Sequence, residues 1–288
     1  MSEQTAIEKR VTAPNLLKAV SVIVVIQFFA LLVTQQNLPA YVSIVNQTGY
    51  TYNPLGSTPA GAAGNALLLV GLAFVLTLGL VWLLRKRMVM SFRVIIFGSV
   101  ALSAFILTLL TADVFAYNYL PASLEVPVAF SAASVVVVLI GYTIFVKNRP
   151  WLSTVILAFV GAEVGSFFAE TLSPYTALAL PVVFSVYDVY AVFRGPLKQM
   201  IGTAPNIALV GMSVKAGEFT LGLGDIVFYT MLPSVALFRV GFISSLATLL
   251  AIDSGVLITL FLLSRKKLLP GLPIPMLLGV LALLAFYV

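Results

Sequence analysis

The chain has 288 residues, 61% of them hydrophobic and 9% charged, with 16 basic against 10 acidic residues, a net charge of +6, and neither His nor Cys. A soluble chain is about half apolar and about a quarter charged, so this composition excludes an ordinary globular domain and predicts a polytopic membrane protein of the all-α class. Without His and Cys there is no Ser-His relay, thiol nucleophile, disulfide, or His- or thiolate-ligated zinc; carboxylates, hydroxyls, Lys and backbone must carry any chemistry.

A bilayer core takes about 20 apolar residues per helix. Cutting the chain at charges, prolines and polar clusters predicts nine transmembrane helices: Leu16–Thr34, Ala62–Leu84, Val94–Ala116, Pro127–Val146, Trp151–Phe168, Thr176–Phe193, Leu223–Phe238, Val240–Leu263 and Leu268–Val288. The first is longer than the apolar core of a secretory leader and reads as a retained helix, although Leu38-Pro39-Ala40 resembles a cleavage site. Gln35–Gly61 reads as a polar, turn-rich outer loop in which Asn46-Gln47-Thr48 fits a glycosylation acceptor. Only Arg239 separates the seventh and eighth spans. The whole chain, 1–288, reads as one polytopic domain: spans one to six within 1–193, a cytoplasmic loop 194–222, and spans seven to nine within 223–288. In that loop Ile207–Val214 is too short to span a bilayer and reads as a short strand or an interfacial segment.

Basic residues stay on the cytoplasmic side. An inside N-terminus with nine spans places every Lys and Arg except Arg239 there and leaves the C-terminus outside. The positive charge is thus a topology signal of a multi-pass protein, expected in the cell membrane. Arg85–Arg87 and Arg265–Lys267 lack interleaved aromatics, so no nucleic-acid partner is expected.

Acids at membrane depth are costly and mark function. Asp188 lies six residues before Arg194, about 9 Å from the cytoplasmic end of its span, and Asp225 opens the next span at similar depth. Glu163 and Asp253 lie about 18 Å deep, near the midplane. Two carboxyls within hydrogen-bond reach keep one proton between them, so one activates water while the other polarises an amide carbonyl, a proteolytic route that needs no His, Cys or metal. Asp225 follows Gly222-Leu223-Gly224, whose glycines permit close backbone approach. The ninth span opens Pro270-Gly271-Leu272-Pro273-Ile274-Pro275, which reads as extended backbone at the depth of the two aspartates.

Tyr187-Asp188, Gly222-Leu223-Gly224-Asp225 and the Pro270 to Pro273 element, in this order and at matching depth, resemble the presenilin and signal peptide peptidase family of intramembrane aspartyl proteases. The short loop between spans six and seven is similar to that of compact microbial, archaeal-type members, and the inside N-terminus to the presenilin orientation. The resemblance implies catalytic roles for Asp188 and Asp225, and active-site or substrate-positioning roles for Tyr187, Gly222, Leu223, Gly224, Pro270, Gly271, Leu272 and Pro273. It implies no metal or cofactor, and transmembrane-helix proteins or peptides in the lipid bilayer as partners. One departure is that the family's usual Pro-Ala-Leu reads Pro270-Gly271-Leu272 here. The competing readings are an ion- or proton-coupled transporter built on Glu163 and Asp253, and a prepilin-peptidase-like enzyme that shares the Gly-x-Gly-Asp element.

Overall fold

The computed structural model describes residues 13–48, 53–146, 149–195, 211–217, 219–263 and 269–287. In chain order they form α1 (Ala13–Thr48), α2 (Pro59–Arg85), α3 (Val89–Tyr119), α4 (Ala122–Gly141, continued by a π turn, Tyr142–Val146), α5 (Pro150–Thr171), α6 (Pro174–Phe193), strands β1 (Ser213–Ala216) and β2 (Phe219–Gly222), α7 (Leu223–Arg239), α8 (Phe242–Leu263) and α9 (Pro273–Leu284). One helix thus falls on each expected span, but among the described residues only seven are long and apolar enough to cross a membrane. The exceptions are α7, 17 residues and about 25 Å long, and α9, 12 residues and about 18 Å. Ile207–Val210 and Arg265–Leu268, along with Lys9, Arg10, Lys147, Lys198 and the side chains of Asn46-Gln47-Thr48, lie outside the described residues.

α7 is the axis of the fold. Every residue from Ile226 to Ala236 is buried, because α1, α5, α6, α8 and α9 all pack around it. A helix apolar on all sides belongs in such a place. A second apolar cluster joins the end of α2 to α3, α4 and the outer face of α5. α5 and α7 approach closely where Gly161 and Gly165 form a small-xxx-small stripe. A Cβ on Gly165 would sit 2.8 Å from the Val227 carbonyl and 3.0 Å from the Met231 nitrogen. Gly165→Val is therefore expected to destabilise the protein by about 3 kcal/mol. Thermal unfolding in detergent checks this, with Val75→Leu on a membrane-facing, 63% exposed position expected to be silent.

Four sequence expectations are corrected. The stretch from Gln35 onward is not loop at first: α1 continues to Thr48 through Pro39, held where Gln36 donates to the Thr111 carbonyl at 2.8 Å and Tyr41 meets Phe238 edge-on. The break between spans seven and eight falls at Val240–Gly241, where Gly241 adopts φ +129° and its N–H bonds the Ala236 carbonyl. Arg239, the outlying basic residue, donates to the Leu172 carbonyl at 3.1 Å and lies over the Phe238 ring. Of the Pro270 to Pro275 stretch only Pro270–Leu272 is non-helical. Pro273 and Pro275 fall in the first turn of α9, where a missing N–H costs nothing because no carbonyl waits for it. Finally, of the Ile207–Val214 stretch, read as a short strand or an interfacial segment, the described Ser213 and Val214 belong to β1, which runs past the expected end to Ala216 and pairs antiparallel with β2.

The hairpin turns at Gly217, with φ +61°. Val214, Ala216, Phe219 and Leu221 are buried on one face while Lys215 and Thr220 are exposed on the other, the period of two a half-buried strand demands. β2 runs straight into α7, so the hairpin delivers the chain to Asp225.

Candidate active site

Gly222 is both the last residue of β2 and the N-cap of α7, which makes Asp225 the third residue of the helix. Its carboxyl folds back to accept the Gly222 N–H at 3.1 Å, satisfying a donor that the helix start leaves unpaired, and the positive end of the helix dipole favours the charge. Asp188 sits near the end of α6 and accepts the Leu272 N–H at 3.1 Å, with the Gly271 N–H facing the same carboxyl. Gly271 in turn lies against Asp225: a Cβ there would be 2.9 Å from Oδ2 and 3.0 Å from Oδ1. Two carboxyls from α6 and α7 therefore converge on one dipeptide, Gly271–Leu272, and they interact electrostatically. Both are half-buried, and Gly224 beside them is exposed.

The other expected site residues spread around this centre. Pro270 and Leu272 are buried and fix the non-helical segment, and Pro273 starts α9. Leu223 begins α7, with its N–H bonded to the Met212 carbonyl, and packs on Gly161. Tyr187 meets Phe74 of α2 and Phe184 edge-on in an aromatic group. Among the described residues no group of three acids could hold a metal ion.

Glu163 and Asp253 are not joined as a pair. Glu163 accepts the Thr108 hydroxyl of α3 at 2.8 Å, whereas Asp253 faces Gln27 of α1. Glu170, left beyond the expected fifth span, is buried on α5 and accepts the Ser166 hydroxyl at 3.0 Å.

Two residues of the centre escape a reading of the sequence. Tyr229, one turn beyond Asp225, donates its hydroxyl to the Gly271 carbonyl at 2.9 Å. Gln27 donates to the Tyr229 carbonyl at 3.2 Å. Signals existed for both: a phenol four residues after Asp225 shares its helix face, and Pro233 four residues after Tyr229 removes the N–H that would pair that carbonyl.

No protein-family model matches the chain. Presenilin-B of Dictyostelium discoideum is 40% identical over 121 residues, 38% of this chain and 25% of the relative, so the chain spans about a quarter of that protein's length. Among solved structures, a presenilin family intramembrane aspartate protease in space group C222 superposes with a TM-score of 0.64 at 19% identity, over 94% of this chain and 98% of the other. Its counterpart in space group P2 gives 0.62 at 19% identity, over 93% and 96%. The fold is presenilin-like, as the motifs led one to expect.

Proposed function

We propose that this protein is an intramembrane aspartyl endopeptidase that cleaves transmembrane helices with Asp188 and Asp225. The observation that carries the reading is the meeting of the two carboxyls at Gly271–Leu272, each supplied with a backbone N–H, at the start of α7 and near the end of α6. The likeness to presenilin-family structures supports the same chemistry. In this reading nine helices lie in the cell membrane, α7 shielded from lipid along much of its length by its neighbours. The N-terminus and the dyad lie toward the cytoplasmic side, and 194–222 forms a cytoplasmic loop.

A substrate helix hides its carbonyls in its own hydrogen bonds and must unwind before attack. The ionised carboxyl takes a proton from water as the oxygen attacks the peptide carbon, and the protonated carboxyl gives its proton to the carbonyl oxygen. The resulting gem-diol collapses: the C–N bond breaks, the leaving nitrogen takes the proton gained from water, and a diol hydroxyl returns a proton to the other carboxyl. Each proton is recovered and no cofactor is consumed. Gly222 and Leu272 N–H groups hold the two carboxyls in register.

The unwound segment pairs by strand addition with β2. The outer edge of β1 is taken, because the Lys215 N–H bonds Thr154 of α5 at 3.0 Å. The ladder bond from Leu223 to Met212 sets the alternation so that Thr220 turns its N–H and carbonyl away from β1, toward the open edge. Thr220→Pro leaves the β1 bonds intact but removes that donor; KM for a transmembrane reporter is expected to rise about fivefold, with kcat little changed. Incubating the purified chain in liposomes with such a reporter across pH tests the function itself. Absence of cleavage over several reporters would sink the protease reading.

A further inference from the structure

Behind the dyad lies a buried polar chain that the chemistry above does not use. Pro233 has no N–H, so the Tyr229 carbonyl inside α7 lacks its helical partner. Gln27, fully buried on α1, supplies the replacement through Nε2 at 3.2 Å and also faces the carboxyl of Asp253 on α8, which is 6% exposed. Two oxygens of that pair, Gln27 Oε1 and Asp253 Oδ1, are buried without a donor. Leaving two acceptors unpaired in an apolar interior is expensive. One proton satisfies both. With it on Asp253, the carboxyl O–H donates to the Gln27 oxygen while the Gln27 N–H donates to the second carboxyl oxygen, closing a cyclic acid–amide pair.

We propose that Asp253 carries this proton and that the Gln27–Asp253 pair is a positioning element of the aspartyl centre. It fixes the Tyr229 backbone on α7. The Tyr229 hydroxyl then holds the Gly271 carbonyl, and that carbonyl's dipeptide presents its N–H groups to Asp188 and its bare Cα to Asp225. The pair acts through Tyr229 and touches neither substrate nor water. The catalytic consequence rests on the protease reading; the pairing itself does not.

The test uses the full chain in liposomes. Asp253→Leu, Gln27→Leu and Tyr229→Phe are each expected to lower kcat about tenfold, the loss of one buried hydrogen bond, with KM within about twofold. Asp253→Asn rebuilds the ring as an amide pair and is expected to recover most of the rate lost in Asp253→Leu. Gln27→Leu with Tyr229→Phe is expected to be no slower than the slower single variant, since both cut one chain. Multiplying losses, or an Asp253→Asn as slow as Asp253→Leu, would overturn the proposal.

Two readouts do not need activity. Hydrogen exchange at Gly271 and Leu272 is expected to rise in Gln27→Leu and Tyr229→Phe. An infrared difference spectrum of wild type against Asp253→Asn, both expected to fold, is expected to show a protonated-carboxyl C=O band. Unchanged exchange, or a carboxylate band in place of the acid band, would refute the pair even if wild type cleaves. If wild type cleaves nothing while exchange and infrared behave as expected, the protease reading falls and the pair stands.

Discussion

Asp188→Asn and Asp225→Asn are each expected to reduce cleavage of a transmembrane reporter by about a thousandfold or more while leaving the fold intact. The substitutions are isosteric, and an amide oxygen still accepts the Leu272 N–H at position 188 or the Gly222 N–H at position 225. What disappears is the proton exchange: an amide neither takes a proton from water nor returns one to the leaving nitrogen. The two residues act as a unit, so the double variant is expected to be no slower than either single. Wild type is expected to have a bell-shaped pH profile, because activity needs one carboxyl charged and one protonated and fails when both are in the same state. The checks are kcat, KM and thermal unfolding of each variant in the same detergent. Cleavage that survives in either single variant would remove the dyad assignment.

Gly271 is the second sensitive position. The family resemblance implies that Ala is the usual residue, yet here a Cβ would lie 2.9 Å from Asp225 Oδ2 and 3.0 Å from Cγ and Oδ1. The nearest obstacle is thus the reacting group itself, and a displaced carboxyl also loses its 3.1 Å bond from the Gly222 N–H. Gly271→Ala is expected to lower kcat about tenfold and Gly271→Val about a hundredfold, since misplacing a reacting atom by about 1 Å costs that much. KM and the melting temperature are expected to change little, because the segment lies beside the carboxyls and outside the buried core of α7. A Gly271→Val enzyme as fast as wild type would show that Asp225 reacts from another position.

Much of this site was legible in the chain. Asp188 and Asp225 stand out because a carboxyl in an apolar run is costly wherever it is placed, and Gly222-Leu223-Gly224 stands out because it precedes one of them. The Pro270 segment was legible as a break, but its extent was not: Pro273 and Pro275 look like helix breakers until the start of α9 is known, where their missing donors are harmless. Asp253 was visible and misplaced. Depth alone matched it with Glu163, whereas packing gave it Gln27.

What the sequence by itself determined is the class of the protein, the order and approximate ends of its apolar segments, and the two carboxyls at one depth. These depend on the transfer cost of each residue and on spacing along one chain, quantities that neighbours in space do not alter. Tertiary structure alone decided who meets whom: Leu272 with Asp188 across 84 positions, Gln27 with the Tyr229 carbonyl across 202, and Gly271 against Asp225. It also decided that α1 continues to Thr48 and that α9 is too short to span alone. Those outcomes follow from how helices pack and which buried polar groups find partners, which is a property of the assembled bundle and of no segment within it.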